Sequence, residues 1–311
     1  MTKTIVAAAY GGPDVLRQVD EELAAPGPGL VLIEVRAVGV NPVDYVGFSG
    51  AFGGDESRLP LPVGSELAGV IAAIGPDTQI ATGGGAVGDP VLAFEVPGAY
   101  AEQVTAAACD VFAKPDRLDF AAAANLLLVG TTAADMLRVV PVAPGETVLV
   151  HGASGAVGVS LLQQLRPVGV QVLGTASERT FGTVHRFGAR PVAYGPGLDQ
   201  RIRDAAPGGI AAAFDCAGTD EAIDTSLALL DDRARLVTIA AHARAVTDSL
   251  TALPNGESVA YRRAVRPELV DRAARGDLVV PVARTWPLVQ AADALAFLAG
   301  RHPGGKLALL P

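Results

Sequence analysis

The sequence predicts an α/β protein: a doubly wound parallel sheet joined to a second, β-rich unit. Three observations predict it. The stretch "VLVHGASGAVG", residues 148 to 158, passes from strand character into a glycine-rich turn and then into an apolar helical pattern. From about Phe120 onward, helical and strand patterns alternate, which builds a parallel sheet with helices on both faces. Before that point, short strand-like runs separated by clusters such as "APGPG" and "TGGGAVGD" describe a compact β unit.

In the β-rich part the strand signals fall at residues 4–9, 30–38, 67–74, 90–94 and 99–104. An Ala-rich helix follows at 120–125 and resumes at 131–139, then a strand at 147–151 and a helix to about 165. Next come a strand at 171–175, a helix at 180–187, and strands at 191–194, 211–216 and 235–239. After Val279 the chain returns to a strand, a helix at 288–299 and a last strand at 306–310.

Composition bounds the function. The 311 residues suffice for about two domains. With 50% apolar and 18% charged residues the chain can bury a large core, which argues against disorder. A net charge of -9 argues against nucleic acid as partner, because phosphate neutralisation needs a basic face. Cys109 and Cys216 stand far apart, so neither a disulfide framework nor a Cys-based zinc site is expected, and two thiols suit a reducing cytosol. The apolar run at the N-terminus is too short for a signal peptide, and no apolar run spans a bilayer. The expectation is a soluble cytoplasmic protein with no membrane partner.

The glycine turn carries the chemistry. Gly152, Gly155 and Gly158, with Ser154, Ala156 and Val157 between them, allow a tight turn and a phosphate close to the main chain, and let the helix pack on the strand. The helix start offers free N–H groups and a positive dipole end to a pyrophosphate. At the end of the next strand an Asp or Glu would grip the ribose of NAD. Here Ala176 and Ser177 take that place and Arg179 follows, a hydroxyl and a guanidinium suited to a 2′-phosphate, so NADPH is favoured. Glu178 takes the acid's role if the strand ends one residue later, and Arg179 is otherwise a solvated surface arginine. Cys216, Ala217 and Gly218 end one sheet strand, and Ile239 and Ala240 the next, at the edge where such sheets meet their ligand. The Cys216 thiol is read as packing rather than as a nucleophile.

The ordered stretches "VGVNPVDYVGFSG" (38–50), "LPVGSELAGVIAAIG" (61–75), "GAYAEQVTA" (98–106), "VGTTAADML" (129–137), "VAPGETVLVHGASGAVG" (142–158) and "GGKLALL" (304–310) resemble the medium-chain dehydrogenase/reductase superfamily, in its zinc-free, zeta-crystallin-like quinone oxidoreductase branch. The resemblance implies a GroES-like catalytic domain from residues 1–119 and 278–311, a Rossmann domain for NADP over 120–277, and a cleft where they meet. Zinc-dependent relatives carry a Cys and a His where "NPVDY" and "VGSELAG" here supply Asp44 and Ser65, and the lobe for a structural zinc is absent. Ser65 is a poor zinc ligand, and Glu66 is read as a structural carboxylate. No metal is expected.

Without a metal to stabilise an alkoxide, the implied reaction is hydride delivery from NADPH to an electron-poor small molecule, a quinone or an α,β-unsaturated carbonyl. An enoyl thioester or polyketide-like intermediate is the second substrate class, and an NADPH sensor or structural protein without turnover is the third reading. The resemblance places Asn41 beside nicotinamide and substrate. Tyr45 is a candidate proton or hydrogen-bond donor, one residue out of register with the Tyr of close relatives, where Val46 stands. Phe48, Phe52, Phe94 and Tyr100 either wall an aromatic pocket or belong to the core. Thr131 matches the family turn at the nicotinamide end, Tyr194 matches a Tyr near the adenosine phosphate in NADPH-binding relatives, and Lys306 either reaches the cofactor or lies on the surface. Residues 257–263, "ESVAYRR", fall where relatives pair edge strands into a homodimer.

Overall fold

The computed structural model describes residues 1–51, 53–300 and 304–311. Its strands, in chain order, are β1 (Thr2–Ala7), β2 (Leu16–Glu21), β3 (Leu30–Val40), β4 (Leu61–Pro62), β5 (Glu66–Ile74), β6 (Pro90–Phe94), β7 (Gln103–Ala107), β8 (Val111–Ala113), β9 (Thr147–His151), β10 (Gln171–Ala176), β11 (Arg190–Ala193), β12 (Ala212–Asp215), β13 (Leu236–Thr238), β14 (Thr251–Ala252), β15 (Val282–Pro287) and β16 (Lys306–Leu310). The helices are α1 (Pro42–Val46), α2 (Phe120–Ala123), α3 (Leu127–Val139), α4 (Ala156–Leu165), α5 (Phe181–Arg186), α6 (Leu198–Ala205), α7 (Asp220–Leu229), α8 (His242–Asp248), α9 (Ser258–Arg275) and α10 (Ala291–Gly300).

The chain divides into two compact units. The first is Met1–Leu128 together with Pro267–Pro311, and the second is Val129–Arg266. The divisions fall later than residue 119 and earlier than residue 277, because α2 packs on β3, β5 and β16 and the last part of α9 lies with the first unit.

In the first unit, the leading part of β3 alternates, with Val31, Ile33, Val35 and Ala37 buried and Leu30 and Arg36 exposed, the period of a strand with one face on a core. Among the described residues it lies inside the sheet order β15-β16-β3-β5-β6-β8, with β7 also pairing β3. The C-terminal strand is therefore built into a sheet of N-terminal strands: β16 runs antiparallel to β3, with Leu307 opposite Val40. Leu307 and Leu309 share one core with Ile33, Leu67 and Val91. A smaller sheet, β2-β1-β4, carries the N-terminus.

In the second unit the order is β11-β10-β9-β12-β13-β14, every pairing parallel. Counted from β9 this is 3-2-1-4-5-6, the doubly wound arrangement that binds ligand outside the carboxyl ends of its strands. Residues 148 to 151 of β9 are all buried, as expected of a strand covered on both faces. Helix α4 buries Val159, Leu161, Leu162 and Leu165.

The segment 257–263 is not an edge strand. Asn255 Oδ1 accepts from Glu257 N (3.1 Å) and Ser258 Oγ (3.1 Å), a turn that starts α9. Val265, Leu269, Val270 and Ala273 then bury at helical spacing. Strand pairing between protomers through these residues is thereby removed. The strand expected at 99–104 is also displaced: Ala101 makes only an isolated bridge to Thr4, and β7 begins at Gln103. Among the described residues no helix is long and apolar enough to cross a membrane.

Candidate active site

In the second unit β9 leads into Gly152 at φ +68, a left-handed conformation that glycine adopts freely. Gly155 caps α4 without any side-chain acceptor, so the N–H groups of Ala156, Val157 and Gly158 open the helix without intrahelical partners. Gly158 is required by contact: a Cβ there would lie 2.4 Å from Gly152 O and 2.8 Å from Ala153 Cα. This cradle fits a pyrophosphate, with helix N–H groups and dipole directed at the anion.

The turn rests on a chain of hydrogen bonds. Gly152 N donates to Thr175 Oγ1 (3.2 Å), the Thr175 hydroxyl to His151 Nδ1 (3.3 Å), His151 Nε2 to Ser226 Oγ (3.0 Å), and the Ser226 hydroxyl to Ala222 O (2.8 Å). Because the Ser226 hydroxyl is committed to Ala222 O, His151 Nε2 carries a proton, and in the neutral imidazole Nδ1 accepts from Thr175. Burial agrees, pushing His151 from its ordinary 6.5 down to about 4 against the opposing charge of Asp215. One strand further, Asp215 Oδ1 accepts from Ala217 N (2.9 Å) and Gly218 N (3.0 Å), while Oδ2 accepts from Thr238 Oγ1 (2.6 Å). Thr238 Oγ1 in turn accepts from Ala240 N (3.1 Å). The ends of β12 and β13, with Cys216, Ala217, Gly218, Ile239 and Ala240, are thus tied together at the same sheet edge as the glycine turn. Burial pushes the Cys216 thiol up, which removes the thiolate a nucleophile needs.

β10 ends at Ala176, one residue later than expected, which is the condition that brings Glu178 into question as the ribose acid; Ser177 is the first residue beyond the strand, and Glu178 follows it, exposed on a short turn. Ser177 Oγ lies 3.1 Å from Thr180 Oγ1, and Arg179 is exposed. Tyr194, directly after β11, is 58% exposed. Its loop is held by Arg201, which donates to the carbonyls of Ala193, Gly195 and Pro196, and by Glu221, which accepts from Gly195 N at 2.9 Å. Thr131 departs from expectation, lying inside α3 and fully buried rather than on a turn.

The first unit holds a buried polar cluster, and strand register assembles it. Leu307 opposite Val40 and Leu67 opposite Val38 bring Lys306 and Glu66, each one residue further along, to Asn41 and Gly39. Lys306 Nζ donates to Asn41 Oδ1, to Val40 O (3.3 Å) and to Glu66 Oε1 (3.4 Å). Asn41 Nδ2 donates to Glu66 Oε1 (2.8 Å), and Glu66 Oε2 accepts from Leu128 N (3.1 Å). Asp44, in the first turn of α1, accepts from Asn41 N (2.9 Å) and from Tyr100 OH (3.1 Å) through Oδ2. Burial, reinforced by the Glu66 charge and offset by the Asn41 N–H, Lys306 and Tyr100, pushes Asp44 from 3.8 up to about 7. The same burial and the Asp44 charge hold the Tyr100 hydroxyl well above its usual range, so it acts as a donor.

The packing of the first unit places the residues for which the sequence left two readings open. Lys306 is buried, and with three acceptors around its ammonium it has no N–H left for direct contact with a cofactor. Phe48 and Tyr100 belong to the core of the first unit rather than to a pocket wall, and Phe94 is buried on β6. Tyr45 is half-buried, edge-on to Phe48 at 5.5 Å, between the exposed side chains of Val43 and Val46. Phe52 lies outside the described residues. The role of Glu66 and Lys306 had one legible signal: an acid and a base, each opening an apolar strand.

The donor set does not fit zinc. Asp44, Ser65 and Glu66 provide neither thiolate nor imidazole; Asp44 already accepts from Asn41 N and Tyr100 OH, and the Glu66 carboxylate is engaged by an ammonium, an amide and a backbone N–H. Ser65 Oγ is buried without a hydrogen-bond partner and is a poor ligand by itself. Among the described residues no group of His, Cys, Asp and Glu is arranged to hold a metal ion.

Comparison with known proteins agrees with this architecture. The alcohol dehydrogenase GroES-like domain family matches residues 27–116, and the zinc-binding dehydrogenase family, whose name carries a metal this donor set does not suit, matches residues 187–309. The quinone oxidoreductase of Pseudomonas aeruginosa is 32% identical over 332 aligned positions that cover 100% of both chains. The solved quinone oxidoreductase of Pseudomonas syringae pv. Tomato DC3000 is 30% identical, with a TM-score of 0.84 over 100% of both chains. That of Escherichia coli, complexed with NADPH, is 25% identical, with a TM-score of 0.84 over 99% of this chain and 100% of that one. The glycine cradle on a doubly wound sheet, the sheet closed by both chain ends and the full-length similarity lead to one assignment: the chain belongs to the quinone oxidoreductase branch of the medium-chain dehydrogenase/reductase superfamily.

Proposed function

We propose that the protein is an NADPH-dependent, metal-independent reductase of quinones or α,β-unsaturated carbonyls. The observation that carries the reading is the composition of the polar cluster in the first unit, where Lys306 engages Glu66 and Asn41 and no donor set among the described residues suits a metal. Without a Lewis acid, the acceptor must delocalise the incoming charge over its own conjugated system, as quinones and enones do. When bound, NADPH supplies the hydride. The chain binds the pyrophosphate at Gly152–Gly158, takes the 2′-phosphate on Ser177 and Arg179, and meets the acceptor with Asn41 and Tyr45 beside the exposed apolar surface of Val43 and Val46. For an enone the two electrons of the hydride enter at the β-carbon, charge collects on the carbonyl oxygen, and a proton from water completes the α-carbon.

The test is NADPH oxidation, with NADH in parallel, against a panel of quinones and α,β-unsaturated ketones before and after a chelator. Turnover is expected to survive chelation and to prefer NADPH; loss on chelation with recovery on added zinc contradicts the reading. Arg179→Ala is expected to weaken NADPH about 10- to 100-fold, the worth of a charge-assisted contact, with NADH affinity changed less than about twofold. Equal weakening of both cofactors removes the 2′-phosphate assignment.

A further inference from the structure

The Asn41 carboxamide has two ends of opposite chemistry, and both are anchored. An ammonium only donates and a carboxylate only accepts. Lys306 therefore faces Oδ1 and Glu66 faces Nδ2, and the amide cannot turn over without setting donor against donor and acceptor against acceptor. The backbone of Asn41 is fixed as well, through Asp44, which Tyr100 holds from the core. Space for this arrangement is built into β3: a Cβ at Gly39 would lie 2.5 Å from Glu66 Oε1. Lys306 and Glu66 come from strands on either side of β3, so the orientation of one side chain is set by the register of three strands.

We propose that Lys306 and Glu66 are positioning residues: they hold the buried Asn41 amide in one orientation, which leaves the second N–H of Nδ2, without a hydrogen-bond partner among the described residues, as the group it offers to a ligand. Lys306 thus acts through Asn41 and not on the cofactor. A donor at this place selects a ligand atom that accepts, such as a carbonyl oxygen that gains negative charge on reduction. This rests on the reductase reading for its kinetic consequence, whereas the locked amide stands independently of turnover.

Two measurements separate them. In protein carrying 15N-asparagine, the side-chain NH2 pair of Asn41, assigned by its absence in Asn41→Ala, is expected to exchange slowly with solvent. Exchange is expected to quicken by about tenfold or more in Lys306→Met, and to return toward the native rate in Lys306→Arg, which restores a donor cation. The combined Glu66→Gln and Lys306→Met variant removes both charges together, so that it folds without a lone buried ion and still loses the lock. Rapid exchange in the wild type, or exchange unmoved by either variant, overturns the proposal whatever the activity.

In steady state, Lys306→Met is expected to lower kcat with its acceptor about tenfold or more while NADPH affinity stays within about twofold. Added to Asn41→Ala it is expected to cost nothing more, because a residue acting through another is non-additive with it. Additive losses, or weakened NADPH binding, overturn the positioning role. A wild type that fails to reduce any acceptor but keeps the protected amide instead sinks the reductase reading and leaves the lock standing.

Discussion

Gly158→Val is expected to abolish tight NADPH binding and to destabilise the second unit. The added Cβ falls 2.4 Å from Gly152 O and 2.8 Å from Ala153 Cα, backbone atoms that no side-chain rotation moves aside. Either α4 moves off the turn or the turn opens, and both remove the N–H groups of Ala156 and Val157 from the place where a pyrophosphate would sit. Overpacking at such a contact costs about 3 kcal/mol, and misplacing the cradle is expected to weaken NADPH about 100-fold or more, given the charge-assisted bonds it would lose. Gly182→Ala is the control. Gly182 lies on α5, and a Cβ added there would meet nothing within 4 Å. Replacing this helical glycine with alanine is expected to leave NADPH binding alone and to stabilise slightly. Titration of cofactor fluorescence and urea unfolding check both, and native-like binding by Gly158→Val contradicts the assignment of the cradle.

The second large effect is a pH dependence in the first unit. Burial holds Asp44 at about 7 in the folded chain against 3.8 ordinarily. Between those values the folded protein carries one more proton than the unfolded one, so the stability this group contributes is complete below pH 3.8 and is lost as pH rises through 7. The shift corresponds to a difference on the order of 4 kcal/mol. Asp44→Asn has the shape of the protonated acid and does not titrate. Its stability relative to wild type is therefore expected to improve as pH rises from 3.8 toward 7 and to level off above that. His151, depressed to about 4 from 6.5, has the opposite sign: its contribution is complete above pH 6.5 and fades as pH falls toward 4. Because His151 is common to both proteins, the difference between them isolates Asp44. Urea unfolding of the two at several pH values is the measurement, and parallel pH profiles contradict a protonated Asp44.

The second unit was legible where local sequence decides the structure. In β9, the glycine turn and α4, strand burial, positive φ, close approach and helix start each depend on residues within a few positions of one another. The end of β10 was legible only to within one residue, because the strand runs to Ala176, one position past the expected end at 175. Elements whose pattern is blurred were not legible. β2 is exposed along almost its whole length, so it shows no alternation. α9 carries several arginines and Pro267 in its interior, which breaks the apolar period that Val265, Leu269 and Ala273 otherwise keep.

The polar cluster of the first unit was only half legible. Asn41 and Asp44 are neighbours in sequence, but Lys306 is 240 residues from Glu66, and Tyr100 is 56 from Asp44. Their meeting depends on the register of β16 and β5 against β3, and register is a property of the assembled sheet. For the same reason sequence alone offered Phe48 and Tyr100 either a pocket wall or the core, the commoner place for aromatics, and the packing puts both in the core.

Hydride transfer from NADPH without a metal can be followed through the transferred hydrogen itself. Chelator-treated protein, with zinc shown absent by elemental analysis, is given NADPH carrying deuterium at the transferred position of C4 and an α,β-unsaturated ketone that the panel shows to be reduced. Deuterium is expected at the β-carbon of the saturated product and none at the α-carbon, at the rate seen before chelation. Product without deuterium, or product formed only after zinc is restored, rules out metal-free hydride transfer by this protein.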